Sequence, residues 1–144
     1  MHSLNRTFAE CTAHRSRLFA IRRVVTLGHT NAMGGAYFAA YFAWTGEARE
    51  ELLLGVQLPK NLVLHTSEAH MKYLRELAPF DALELFVWPR LQRRAVSLRF
   101  FFLRADQLIA VGDQLFCFTS GGVVTDVPDE FIQRLKHADP GSTA

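Results

Sequence analysis

The stretch that decides the architecture is Ala36 to Leu54, AYFAAYFAWTGEAREELLL. It contains no proline and a single glycine, and Tyr37, Tyr41, Trp44, Ala48 and Leu52 recur at helical spacing. Phe38 and Phe42 add a second apolar face to the first turns. The pattern therefore predicts that this half of the helix is enclosed almost all round, and that the helix does not lie on a sheet with its back to water. Either a sheet that curls around it or a second subunit must supply the cover. Gly55 follows as a C-terminal cap.

Upstream, Arg17 to Leu27 contains LFAIRRVVTL, aliphatic and β-branched residues broken by a charged pair, and predicts a strand that ends at Gly28. Between strand and helix lies His29 to Gly35, HTNAMGG, whose adjacent glycines let backbone come close to backbone or ligand. Downstream the chain reads as strands at Leu62–Tyr73, Ala82–Trp88, Val96–Arg104 and Leu108–Phe118, with turns at Pro79, Gln92 and Ala105-Asp106. In Val96–Arg104 the period of two puts Val96, Leu98, Phe100 and Phe102 on one face, toward the helix, and Ser97, Arg99 and Phe101 on the other. Gly112 suggests a bulge or close approach, and Pro89 an edge or kink. Val127 to Phe131 reads as a short terminal helix opened by proline, with acids in its first turn.

A chain of 144 residues, 49% hydrophobic and 21% charged, fits one globular domain. We expect it to run from 16 to 138, after a partly ordered segment 1–15 and before a frayed tail 139–144. A formal charge of +2 gives no argument for nucleic acid. Cys11 and Cys117 form neither a disulfide framework nor a zinc spacing, and no metal or cofactor is called for. Without a secretory signal or a membrane-spanning run, the sequence reads as cytoplasmic. His65 and His70, five apart on a strand, are expected on opposite faces and so make no metal pair. His29, beside the loop, is kept as a candidate proton carrier.

One strand, an apolar helix and four antiparallel strands make the element order of an α+β hot-dog fold, a curved antiparallel sheet wrapped around one long central helix. Two segments carry a closer likeness. Thr30-Asn31-Ala32-Met33-Gly34-Gly35-Ala36-Tyr37-Phe38 and Trp44-Thr45-Gly46-Glu47-Ala48-Arg49-Glu50 resemble the TN-x-x-G-x-x-Y-[FY] loop and W-x-G-x-x-R-E helix segment of the hot-dog thioesterases associated with enediyne polyketide synthases, within the 4-hydroxybenzoyl-CoA thioesterase-like superfamily. Weaker likeness continues through Tyr73-Leu74-Arg75-Glu76-Leu77 and Val127-Pro128-Asp129-Glu130.

The resemblance implies hydrolysis of a β-keto, polyunsaturated acyl chain from an acyl carrier protein domain, with the substrate held on a phosphopantetheine arm. In that group the product acid can lose carbon dioxide to leave a methyl ketone. It also implies a homo-oligomer, dimer or tetramer. Many members of the wider superfamily carry an aspartate where this chain has Asn31, or an acid near the register of Ala43 and Trp44. Both carboxylates are missing here, as the loop aspartate is in the enediyne-associated group. An amide cannot ionise, but it can donate to an oxyanion or hold a water. The site residues implied are Asn31, Arg49 and the backbone N–H of Phe38 for catalysis, with Thr30, Gly34, Gly35, Tyr37 and Tyr41 against the substrate.

First-turn N–H groups lack intrahelical partners and sit at the positive end of the helix dipole, which suits an oxyanion. Arg49 can steady that oxyanion or a product carboxylate; the plainer alternative is a surface ion pair with Glu47, Glu50 or Glu51. A helix unbroken from Ala36 places Arg49 roughly 20 Å along it, so Arg49 is expected to serve the partner's Asn31. Arg90, Arg93, Arg94, Arg99 and Arg104 are read as a solvated hairpin or as a docking surface for an acidic carrier protein. Phe100-Phe101-Phe102, with Tyr37, Phe38, Phe42 and Trp44, could line an acyl channel or build the core. Two other functions stay open: an acyl-CoA thioesterase of general metabolism and a non-catalytic acyl-binding module.

Overall fold

The computed structural model describes residues 7–141. Parts of two expectations therefore lie outside the described residues, namely 1–6 of the N-terminal segment and 142–144 of the frayed tail. The elements in chain order are α1 (Phe8–His14), β1 (Phe19–Val24), α2 (Phe38–Leu52), β2 (Val63–Tyr73), β3 (Ala82–Leu91), β4 (Val96–Arg104), β5 (Gln107–Ser120), β6 (Val123–Thr125) and α3 (Asp129–Ala138). The sheet runs β1-β3-β4-β5-β2 with β6 on β5, and every pairing is antiparallel.

The central helix starts two residues later than its apolar pattern. The Ala36 N–H donates to Leu77 O at 2.8 Å and the Tyr37 N–H to His29 O at 2.6 Å, so both residues are held in a loop and Tyr37 becomes the N-cap. At the other end the C-cap is Leu53, not the expected Gly55, which lies two residues further on and turns the chain away with φ +83°.

Tyr41, Trp44, Thr45, Ala48 and Leu52 are the buried face of α2. They meet Val96, Leu98, Phe100 and Phe102 of β4, together with Phe116 and Phe118 of β5 and Phe131 and Leu135 of α3. Within the single chain the sheet covers one side of α2, and Phe38 (57% accessible), Ala39 and Ala43 face outward, the side that the sequence reading left to a second subunit. Burying Phe100 and Phe102 completely makes them core; truncating either to alanine should cost about 3–5 kcal/mol.

The other face of the sheet has its own cover, which periodicity did not announce. Helix α1 is seven residues long and is closed by a capping box, with the Glu10 N–H donating to Thr7 Oγ1 and the Thr7 N–H to Glu10. Its Cys11, with Leu18, packs on Phe86, Trp88, Phe101 and Leu103. Gly112 marks a close approach: a Cβ there would lie 2.9 Å from Met71 Cε. Pro89 sits in β3 beyond the last residue paired with β1, where its missing N–H breaks no ladder on that side.

An irregularity between Thr66 and Glu68 resets β2. It places His65 opposite Cys117 and His70 opposite Asp113, four apart on β5, so the two histidines share a face instead of opposing one another. The curled antiparallel sheet with α2 packed in its hollow is the hot-dog arrangement.

Candidate active site

A cavity of about 320 Å³ opens where the loop before α2 meets the end of β2. Asn31, Ala36, Phe38 and Tyr41 line it from one side, Tyr73, Leu74, Arg75 and Glu76 from the other. The structure thus brings together three of the residues singled out in the sequence, Asn31, Phe38 and Tyr41.

The loop is shaped by its own polar groups. Asn31 Oδ1 accepts the Met33 N–H at 3.0 Å, the Asn31 N–H donates to Gly35 O, and the Gly34 N–H to Asn31 O. Gly34 turns with φ +86°, a value that favours glycine. The Asn31 amide nitrogen makes no hydrogen bond among the described residues, so one side of the amide holds the loop and the other is free to donate. Thr30 frames the loop, its hydroxyl donating to Leu27 O at 2.7 Å. Tyr37 is exposed, with its ring 4.5 Å from that of Phe38.

No side chain caps α2, and the Phe38 N–H, in the first turn, makes no hydrogen bond among the described residues. The expectation of several open N–H groups from Ala36 to Phe38 narrows accordingly, since Ala36 and Tyr37 are engaged and Phe38 is open. The Phe38 carbonyl accepts the Tyr73 hydroxyl at 3.0 Å. Burial pushes the Tyr41 phenol above its ordinary range, with Tyr73 and the charge of Glu76 adding to the effect. Tyr73 is pushed the same way by burial.

Arg49 lies eleven residues beyond Phe38, roughly 16 Å along the helix, and is not part of the cavity wall. Its surroundings differ from the surface ion pair that its sequence suggests. Arg23 of β1 takes Glu47 at 3.0 Å and Glu51 at 2.7 Å. Arg49 instead donates to Thr66 Oγ1 at 2.7 Å and Gln114 Oε1 at 3.3 Å, and its guanidinium lies 5.5 Å from the Phe116 ring centre. Gln114, buried, donates in turn to Thr45 Oγ1 at 3.0 Å. The half-buried cation is therefore held by a hydroxyl, an amide and a ring, with no carboxylate in ion-pair range among the described residues. Burial pulls its pKa below the usual arginine value.

His29 Nδ1 accepts the Thr26 N–H at 3.0 Å and the ring packs edge-on to Trp44, outside the cavity wall. The basic cluster is largely neutralised: Arg93 and Arg94 pair with Asp126, Arg99 with Asp113 and Arg104 with Asp81. Phe100 and Phe102 lie in the core under α2, and Phe101 lies on the opposite face, so none of the three lines the cavity.

Sequence reasoning missed the far wall, Tyr73 and Glu76. A signal for it was present, because the weaker likeness runs through Tyr73-Leu74-Arg75-Glu76-Leu77, but no periodicity says that this segment folds back on the loop.

Comparison with known proteins bears on the family and the fold. Residues 25–135 match the family model of the thioesterase-like superfamily. The dynemicin thioesterase, whose crystal structures reveal induced-fit and allosteric effects upon polyene binding, aligns with a TM-score of 0.77 and 28% identity over 84% of this chain and 96% of its own. The 1,4-dihydroxy-2-naphthoyl-CoA thioesterase of Synechocystis shares the fold, with a TM-score of 0.76 and 17% identity over 81% and 94% of the two chains. So does a hypothetical protein of Aquifex aeolicus, with a TM-score of 0.75 and 24% identity over 81% and 98%. No match is found among curated proteins. Because the family match spans most of the chain and the same curled sheet and helix recur in these structures, the chain belongs to the thioesterase-like superfamily.

Proposed function

We propose that this protein hydrolyses a β-keto, polyunsaturated polyketide acyl chain from the phosphopantetheine arm of an acyl carrier protein. The observation that carries the reading is the cavity in which Asn31, with its free amide donor, stands together with Phe38 and its unbonded N–H. A thioester carbonyl placed there meets hydrogen-bond donors where negative charge develops. Such preorganised donors are a large source of rate enhancement in acyl transfer. The likeness to the dynemicin thioesterase supports a polyketide chain as the substrate.

Arg49 completes the site from a second copy of the chain. In this reading the partner subunit's Arg49 reaches the Asn31 cavity, and the dimer is the smallest active unit. Three observations support it. Arg49 stands far along α2 from Phe38, the outward side of α2 is apolar at Phe38, Ala39 and Ala43, and β2 ends the sheet with one of its edges unpaired in the single chain. An arginine held by neutral partners keeps its charge available for an oxyanion or a product carboxylate.

The deciding experiment incubates the purified protein with a β-ketoacyl chain loaded on an acyl carrier protein, and separately with the same chain on coenzyme A. Free acid or methyl ketone from the carrier-bound chain, formed faster than from the coenzyme A ester, is the expected result. Preference for the coenzyme A ester assigns it to general acyl-CoA metabolism. Unchanged thioester with measurable binding makes the protein an acyl-binding module and ends the hydrolytic reading.

A further inference from the structure

The residues assigned so far leave hydrolysis without a proton acceptor. The Asn31 amide does not ionise, Arg49 is a cation, and burial keeps the Tyr41 phenol protonated. One carboxylate lines the cavity: Glu76, on the connection from β2 to β3. Its carboxyl carbon and one oxygen lie 3.7 Å from the point where a Cβ on Gly35 would stand, so the group rests directly against the Asn31 loop.

The backbone at Glu76 is fixed from both sides, and its side chain is exposed. The next residue, Leu77, accepts the Ala36 N–H at 2.8 Å, tying this segment to the start of α2. Arg104 accepts no role in quenching the carboxylate, because it donates to the Glu76 backbone oxygen at 3.1 Å while its charge is matched by Asp81 at 2.8 Å. The Glu76 side chain itself makes no hydrogen bond or ion pair among the described residues. It is an uncommitted carboxylate held in the wall of a cavity that also contains an oxyanion donor.

We propose that Glu76 is the general base of the reaction, a role that rests on the thioesterase reading of this cavity. A water between Glu76 and the thioester gives a proton to the carboxylate as its oxygen bonds to the carbonyl carbon. The carbonyl π electrons move to oxygen, and the resulting oxyanion is held by the Phe38 N–H and the Asn31 amide. Collapse of that intermediate breaks the C–S bond, and the protonated Glu76 returns its proton to the departing thiolate. The products are the free acid and the pantetheine thiol, and the carboxylate is regenerated. A carboxylate from the β2–β3 connection thus takes the work that a loop aspartate or helix acid does elsewhere.

The test follows turnover of a β-ketoacyl pantetheine thioester by Glu76→Gln across pH, beside Asn31→Ala. The groups facing Glu76 are Tyr41 from α2, Tyr73 and Arg75 from the β2 side, and Arg104 from β4 with its partner Asp81; residues 30–35 bring no titratable group. Burial pushes both phenols up, which keeps them neutral through the acid range. Asp81 is held ionised by the Ala78 N–H and Arg104. The expected result is a kcat lower by about a hundredfold or more, a KM within about threefold of the parent, and loss of the acid limb of the kcat/KM profile. Glu76→Asp, which keeps a carboxylate, should recover part of kcat together with the limb. A folded Glu76→Gln protein with the parent kcat, or with a lowered kcat and an unchanged acid limb, overturns the proposal. If Asn31→Ala loses turnover in that case, only the role of Glu76 falls. If both variants keep it, the cavity is not the reaction site.

Discussion

The Tyr73 hydroxyl donates to the Phe38 carbonyl oxygen at 3.0 Å, joining the last residue of β2 to the first residue of α2. The bond joins two residues of the cavity wall and holds the first turn, whose Phe38 N–H is open. Tyr73→Phe removes it while keeping the ring, which packs 4.9 Å from Tyr41. Stability should drop by about 1 kcal/mol in urea unfolding. We expect kcat to fall by about three- to tenfold with KM little changed, since a looser first turn weakens an interaction made in the transition state.

Asn31 has two jobs, and two substitutions separate them. Asn31→Ala removes both the loop acceptor for Met33 and the free amide donor, and should lower kcat by about a hundred- to a thousandfold. Asn31→Asp keeps the acceptor and removes the donor. If the donor is what matters, the aspartate variant loses turnover as well; recovery by aspartate would place the value of Asn31 in loop geometry.

Gln114 holds Arg49 without neutralising it, so Gln114→Glu should pair with the guanidinium and quench it. The variant is expected to stay folded, with its thermal midpoint near that of the parent, and to lose about tenfold or more in kcat. Gln114→Met, which leaves Arg49 uncompensated, should lose less. Mixing Asn31→Ala with Arg49→Ala subunits should restore some activity, because a heterodimer regains one intact composite site. Mixed variants that stay inactive despite proven subunit exchange would remove Arg49 from the partner's site.

Burial pushes the Cys11 thiol up to about 11 from 9.0, against a smaller opposing effect of Arg15. The fold therefore favours the neutral thiol, and this contribution is complete below pH 9 and lost as pH rises from 9 toward 11. Cys11→Ala should show less loss of stability over that interval than the parent in urea titrations. With a thiol reagent near neutral pH, the half-buried Cys117 should react while Cys11 waits for unfolding.

Local pattern was enough for much of this molecule. The helical spacing of Tyr41, Trp44, Ala48 and Leu52 and the alternation of Val96, Leu98, Phe100 and Phe102 survive folding because each records one face buried along its own element. The span Val96–Arg104 agrees with the expectation residue for residue. The helix start did not agree, because the amides of Ala36 and Tyr37 bind carbonyls of Leu77 and His29, one of them distant in sequence.

The sequence by itself determined the order from β1 through α2 to β5, the apolar helix and the loop that carries Asn31, since those depend on neighbours along the chain. Tertiary structure alone decided what meets that loop. The irregularity at Ser67 shifts β2 by one residue, so that Thr66 faces Arg49 before it while Met71 and Tyr73 face α2 after it. An unbroken period of two would turn either Thr66 or Tyr73 to the opposite face. A bulge depends on how a strand fits the twist of its partner, and the composition of β2 does not encode that fit. Glu76, far along the chain from Asn31, meets it in the cavity wall because the Leu77 carbonyl binds the Ala36 N–H.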